Sequence, residues 1–503
     1  MRGLPEHRIG GRGFDFRGTF SEFSQGIFKH VKPTNANKAR VIPDHSQSYR
    51  RFLLKELDKI VANFDASAIE EKWIQQPLDH FDEKEDRTWN MRYFERLDKW
   101  SPDGPIYLFI NGEDKASQAF LQTGIMYELA KETGGAMFLS EHRYYGKSVP
   151  FDDLSTENLK YLSSRQALAD VAKLLEQVKL QPQFNTSKVV VVGGSYAGNL
   201  AAWMELLYPD LIDAAIASSA PVLAKKDFYE YLENVSEDFE QYGPDKCIDK
   251  ISEKFSRYDE LFKSSAGIEQ LKEEELICDD TDMSKDENKQ IFFLEKSSEF
   301  MYTAQYGTPE SIKSHCENLN NTSRVNFAND ETLWNAKNEC FDYDFDEMVK
   351  SMRDIDWLVS WTYQTCTEFS YFPSSSSDKQ PFTKNIKMDL FYKMCTQLFG
   401  PTFDEKRIED GVKMTNELYR GLKPDVTNVV FVNGDLDPYH KLGVLEDVSY
   451  DAPAKVISQA SHCRDLFSNR SGDPEELVDA RAYIKYLVKK WIGAGEYMKP
   501  KFV

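Results

Sequence analysis

Six short apolar runs punctuate the chain, each giving way to small or polar residues. They are Pro105–Gly112 (PIYLFING), Gly135–Arg143 (GAMFLSEHR), Val189–Val192, Ile212–Val222 (IDAAIASSAPV), Asn428–Pro438 (NVVFVNGDLDP) and Ala454–Cys463 (AKVISQASHC). Four consecutive valines cannot alternate between core and solvent, so Val189–Val192 predicts a strand covered on both faces, as in a parallel sheet flanked by helices. Apolar positions at helical spacing lie between the runs, as in Ser163–Val178 (SSRQALADVAKLLEQV). Alternating strands and helices predict an α/β domain with a parallel sheet.

The pattern changes after Val222. Valine runs stop, and helical periodicity takes over, as in Asp346–Cys366 (DEMVKSMRDIDWLVSWTYQTC), until strand-like runs return at Asn428. One α/β domain interrupted by a mostly helical insertion explains this order. It divides the chain into an N-terminal extension (1–66), the first part of the α/β domain (67–222), the insertion (223–420) and the second part of the α/β domain (421–503). Most of the extension reads as flexible, with one amphipathic helix at Ser48–Phe64, and the ordered domain is expected to begin near Trp73. The acidic run Lys272–Lys289 (KEEELICDDTDMSKDENK) reads as a solvated loop.

Candidate chemistry begins at the end of the valine run. Gly193-Gly194-Ser195-Tyr196-Ala197 places a lone serine at a strand-to-helix corner, where a nucleophile elbow would hold its hydroxyl outward beside the N–H groups of a helix N-terminus. The usual pattern asks for glycine at 197, and Ala197 is small enough to pass close to a strand. In this arrangement acid and base follow the serine on later strands. Only two strand-like runs remain: the first ends in NGDLDPYH, offering Asp435 and Asp437, and the second in ASHCRDL, offering His462. With eight histidines in 503 residues, one at that place carries weight. Asx-turns, helix caps (Asp465) and surface histidines (His440, His462) are the structural alternatives. Tyr196 and the loop Asn111–Asp114, at Gly112, are the candidate oxyanion donors.

Composition narrows the partners. A formal net charge of −21 argues against nucleic acid or an anionic membrane surface, and no apolar run is long enough to span a bilayer. No spacing suggests a metal, and no cofactor is expected. The residues at the N-terminus lack the apolar stretch of a secretory signal, which by itself predicts a cytosolic product. The cysteines point the other way: Cys247, Cys278, Cys316, Cys340, Cys366 and Cys395 cluster in the insertion, favouring disulfides in an oxidising compartment, while Cys463 stands apart. Sequons at Asn185, Asn234, Asn321 and Asn469 agree.

With these residues placed, the sequence resembles the serine carboxypeptidase S28 family from Trp73 to about its C-terminus, most strongly the thymus-specific branch. The motifs are WIQQPLDHF (Trp73–Phe81), EHRYYGKS (Glu141–Ser148), SSRQALAD (Ser163–Asp170), GGSYAGNLAAW (Gly193–Trp203), ASSAPV (Ala217–Val222), YQTCTEF (Tyr363–Phe369), NGDLDPYH and SHC. The resemblance implies an α/β-hydrolase fold with a helical cap, and a serine peptidase acting at peptide ends, often beside proline. It implies Ser195 as nucleophile, Asp437 as acid, His462 as base, a Cys366–Cys395 disulfide and a secretory, lysosomal or extracellular location. Departures from the family pattern are Asp114, which adds charge beside the oxyanion loop, and Tyr439, which stands where tryptophan is expected in a pocket wall. Glu113 is a candidate contact for a substrate amino terminus. Competing readings are an ester or lipid hydrolase on the same fold and a member without turnover that acts by binding; a homodimer is left open.

Overall fold

The computed structural model describes residues 39–42, 66–319 and 339–494. Its centre is an eight-stranded sheet of β1 (Ile69–Pro77), β2 (Thr88–Arg96), β3 (Ile106–Phe109), β4 (Ala136–Ser140), β5 (Val189–Gly194), β6 (Ala214–Ser218), β7 (Val429–Gly434) and β8 (Ala454–Ile457). Their spatial order is β1-β2-β4-β3-β5-β6-β7-β8. β3 to β8 run parallel, while β1 pairs antiparallel with β2, and β2 with β4. All six apolar runs form strands of this sheet.

The valines show why the sheet needs cover on both faces. Val189 and Val191 pack into one apolar core and Val190 and Val192 into another, and all four are fully buried. Each stabilises the fold by about 1.5–3 kcal/mol relative to exposure. Ser164–Lys179 and Tyr196–Leu207 cover the first face through Leu168, Leu175, Leu200 and Trp203. Ile125–Thr133 and Glu475–Trp491 cover the second through Leu129, Leu477 and Ile484. Ser163 caps its helix by accepting from the Gln166 N–H.

The apolar pattern missed β1, an edge strand whose Glu70, Glu71, Trp73 and Gln75 are exposed, and β2, whose charged residues are buried in pairs. Lys72 meets Glu95 at 2.7 Å and Arg96 meets Asp98 at 2.6 Å; Arg92 is buried against Glu141. Such pairing lets polar residues occupy a covered strand.

Between β6 and β7 lies the helical cap. Its longer helices are Glu230–Tyr242, Cys247–Leu261, Asp286–Tyr306, Met388–Phe399 and Glu405–Tyr419. Disulfides join Cys247 to Cys316, Cys278 to Cys340 and Cys366 to Cys395. The cap shares one continuous apolar core with the first face of the sheet. Lys272–Lys289 is not simply a loop: it holds the end of helix Ser265–Glu275 and the start of Asp286–Tyr306, and Glu275 accepts from Lys296 and Tyr258. Ala39–Val41, inside the segment expected to be a flexible extension, pairs in parallel with Glu339–Phe341. The helix expected at Ser48–Phe64 lies outside the described residues. Among the described residues no helix is long and apolar enough to cross a membrane. Strand order, the antiparallel β2, and the helical insertion after β6 define an α/β-hydrolase fold with a helical cap.

Candidate active site

Three strand ends converge on one place. β5 ends at Gly194, and Ser195 follows with φ 58° and ψ −132°, a conformation costing about 1–3 kcal/mol for a residue with a side chain. The turn is held by the Ser195 N–H, which donates to Ser218 O at 2.9 Å. Ser195 occupies the cap position of helix Tyr196–Leu207 yet makes no side-chain cap bond, so its hydroxyl is not spent on ending the helix. Tyr196, at the first helical position, has an N–H without an intrahelical acceptor.

Two glycines make the turn tight enough. A Cβ on Gly193 would lie 2.0 Å from Ala197 O, and one on Gly198 would lie 2.6 Å from Ser218 O. The close approach to the neighbouring strand therefore falls on Gly198, one residue beyond the position expected from the pattern. Ala197 instead faces Gly112, where an added Cβ would be 3.4 Å from the Ala197 Cβ.

Asp437 follows β7 and His462 follows β8. Asp437 is fully buried; its Oδ1 accepts the Tyr439 N–H at 3.0 Å and its Oδ2 meets His462 Nδ1 at 2.6 Å. Burial disfavours a charged His462, but the Asp437 carboxylate and the Cys463 thiol outweigh it and raise its pKa well above the usual value. With Nδ1 engaged by Asp437, Nε2 is left buried and without a partner among the described residues. Asp435 does other work: its Oδ1 accepts the Gln459 N–H at 2.7 Å. His440 is buried, with Nδ1 on Asp437 O at 2.8 Å. Asp465 is also buried, and it accepts from Ser218 Oγ instead of capping a helix.

Ser195 and His462 border one cavity of about 110 Å³. Gly112, Glu113 and Asp114 enter it from the loop after β3, Phe120, Leu466 and Phe467 supply apolar wall, and Tyr306 and Trp357 come from the cap. The volume is well below the roughly 300 Å³ at which drug-sized ligand pockets begin, so the cavity suits one small side chain. Burial pushes the Glu113 carboxyl up to about 7, opposed by nearby His462 and assisted by Asp114. Asp114 turns Oδ1 onto its own loop, accepting the Lys115 N–H at 2.7 Å. Tyr439 is not among the lining residues. It packs on His462 with ring centroids 5.8 Å apart, within an aromatic group of Phe228, Tyr231 and Tyr371.

The motifs without assigned chemistry prove to be supports. Glu141 is buried and accepts from Arg92, Ser148 Oγ and the N–H groups of Ala116 and Lys147, pinning the loop after β3. His142 Nε2 accepts from the Tyr196 hydroxyl at 2.9 Å; that hydroxyl accepts from Gln364, which in turn accepts from Tyr145. Burial lowers His142 to about 4, which keeps it neutral and able to accept. Arg143 makes two bonds to Asp170, which also meets His80 at 2.7 Å. The cap reaches the site directly: the His462 N–H donates to Gln305 O at 2.8 Å, and the Tyr306 ring stands edge-on to His462 at 5.7 Å. Sequence reasoning had no signal for Tyr306 or Trp357, since nothing local marks a helix end that meets a distant loop.

Of the sequons, Asn185 and Asn469 are exposed, whereas Asn321 lies outside the described residues. Asn234 is 2% exposed, with Nδ2 on Asp238 and Asp435 O, so a glycan at Asn234 does not fit the folded chain. Among the described residues no group of His, Cys, Asp or Glu is arranged to hold a metal ion.

Fold and site define the class as an α/β-hydrolase with serine, histidine and aspartate at the ends of β5, β8 and β7. Residues 76–484 match the model of the serine carboxypeptidase S28 family, and the chain belongs to that family. It is a serine peptidase. It is 32% identical over 444 residues to the thymus-specific serine protease of Mus musculus, covering 84% of this chain and 87% of that protein. It is 29% identical over 446 residues to the lysosomal Pro-X carboxypeptidase of Homo sapiens, covering 84% and 88%. Among solved structures, Mycobacterium smegmatis proline iminopeptidase aligns at TM-score 0.40 and 11% identity, covering 84% of this chain and all of that one.

Proposed function

We propose that the protein cleaves peptides from the amino end through an acyl-enzyme, with Ser195 as nucleophile, His462 as base and Asp437 as the acid that orients it. The observation carrying this reading is the buried His462–Asp437 pair, with Nε2 unpartnered among the described residues and His462 bordering the same cavity as Ser195. His462 Nε2 takes the serine proton as Oγ attacks the substrate carbonyl, then returns it to the leaving amine. Asp437 keeps Nδ1 protonated and stabilises the imidazolium. The N–H groups of Tyr196 and Gly112 are the proposed donors to the oxyanion. The small apolar cavity takes the side chain preceding the scissile bond, and its size favours proline or another short residue.

Glu113 supports the amino-end direction. Its carboxyl shares the cavity with Ser195, and burial has raised its pKa. A peptide ammonium beside it restores the charged carboxylate and fixes the distance from the terminus to the scissile bond. The three disulfides and the name of the lysosomal relative support a secretory route to a lysosomal or extracellular site, with Asn185 and Asn469 as accessible acceptors for glycans. Digestion of a peptide library, read by mass spectrometry at acid and neutral pH, tests direction and specificity together. Short N-terminal units are expected, with amino-acetylated peptides left intact and Glu113→Gln raising KM for free peptides. Release of C-terminal residues from acetylated peptides would overturn the amino-end reading.

A further inference from the structure

Six of the seven cysteines are paired in the cap, and Cys463 is free. It adjoins His462, and its left-handed backbone (φ 57°) is fixed by an N–H bond to Ser219 Oγ at 2.9 Å. The thiol lies against the elbow: a Cβ on Gly194 would be 2.9 Å from Cys463 Sγ. Cys463 is partly buried and lines the cavity that Ser195 also lines. His462 lines the same cavity. The His462 side chain is 2% exposed, and its Nε2 is buried without a hydrogen-bond partner among the described residues. A partly accessible thiol beside an imidazole nitrogen that can take a proton is the arrangement that activates cysteine towards soft electrophiles.

We infer that Cys463 is a modification site for small disulfides of the cystine and glutathione type, and that the adduct closes the cavity to substrate. This rests on the reading of that cavity as the acyl site. The Cys463 sulfur gives its proton to His462 Nε2 and attacks one sulfur of the incoming disulfide. That S–S bond breaks, a new bond forms to Cys463, and the departing thiolate recovers the proton and leaves as a thiol. The small disulfide is the oxidant, so the exchange balances without another reagent. A cysteinyl group on Sγ occupies space against Gly194 and Ser195, where a cavity of about 110 Å³ has no room for a substrate side chain as well.

The test uses the full chain with its disulfides intact, incubated with oxidised glutathione and with cystine. Two quantities are read on each sample: the fraction of Cys463 carrying an adduct, by peptide mass mapping, and peptidase turnover relative to the same protein untreated. Turnover is expected to fall in proportion to the fraction modified, and Cys463→Ser, scored against its own untreated rate, is expected to be insensitive. An unmodified Cys463 under conditions that modify an exposed model thiol would overturn the inference at the thiol. Full modification with unchanged turnover would overturn it at the cavity and count against the acyl-site reading. If Cys463→Ser fails to fold, prior reaction of Ser195 with a fluorophosphonate replaces it. Protection of Cys463 by that adduct supports the inference, and unimpeded modification contradicts it.

Discussion

Replacing Asp437 by asparagine separates the two aspartates that the sequence offered. Asp437 has no exposure, and both its oxygens are committed, one to the Tyr439 N–H and one to His462 Nδ1 at 2.6 Å. Asparagine keeps the shape, but it can present an N–H to Nδ1. The imidazole then carries its proton on Nε2, the atom needed to accept from Ser195. In serine peptidases that tautomer loss lowers kcat by about 10⁴, or about 5.4 kcal/mol. A second signature follows from charge. His462 must be neutral to act as base, so kcat/KM falls as pH drops through its pKa, which Asp437 raises. Asp437→Asn should therefore move the acid limb to lower pH while lowering the plateau. Asp435→Asn is the control, because that carboxylate bonds the Gln459 N–H and not the histidine; its rate is expected within about threefold of wild type, as for residues outside the reacting set. Steady-state turnover of a chromogenic peptide across pH reads all three proteins. Equal losses for the two variants, or an unmoved acid limb in Asp437→Asn, would refute the assignment.

Glu141→Gln removes the charge facing buried Arg92 and weakens the tie to Ala116, so it should cost about 3–5 kcal/mol in denaturant unfolding; a loss below 1 kcal/mol, the scale of a surface pair, would contradict that role. Thermal unfolding should occur at a higher temperature at pH 5.5 than at pH 7.5. Burial raises Glu368 and Glu113 to about 7, Asp238 to about 9 and Asp465 to about 6, so their contribution is present below the ordinary carboxylate pKa and is lost as pH rises through those values, at about 1.4 kcal/mol per pH unit and group. His142 and His315, both lowered to about 4, oppose this by losing stability as pH falls below 6.5. Removing Glu368 with Glu368→Gln should flatten the pH dependence, and an unchanged slope would count against its buried carboxyl as a source.

The sheet was legible where burial is expressed as apolar sequence. Val189–Val192 and Val429–Val432 are apolar because both faces are covered, and the strands they predicted formed. β1 and β2 were not legible, since β1 is an edge strand with Glu70 and Glu71 exposed, and in β2 Arg92 and Glu95 become buried only by pairing with Glu141 and Lys72 from other parts of the sheet. The candidate site was legible to the extent that strand ends set it: Ser195, Asp437 and His462 lie beyond the ends of β5, β7 and β8. Residues supplied by packing were not. Tyr306 and Trp357 reach the cavity only because the cap folds back over the sheet, and Asn234, a sequon by spelling, is buried in the cap helix Glu230–Tyr242. Ala197 illustrates the middle case, because the pattern located the turn correctly but the steric contact falls on Gly198.

The central claim is that Ser195 is the nucleophile and that His462 activates it. The direct measurement is peptide-mapped mass spectrometry of the intact protein after reaction with a fluorophosphonate probe. One phosphonyl group on Ser195 is expected, absent in Ser195→Ala and slowed by orders of magnitude in His462→Ala. A label on another residue, or undiminished labelling of folded Ser195→Ala, would contradict it.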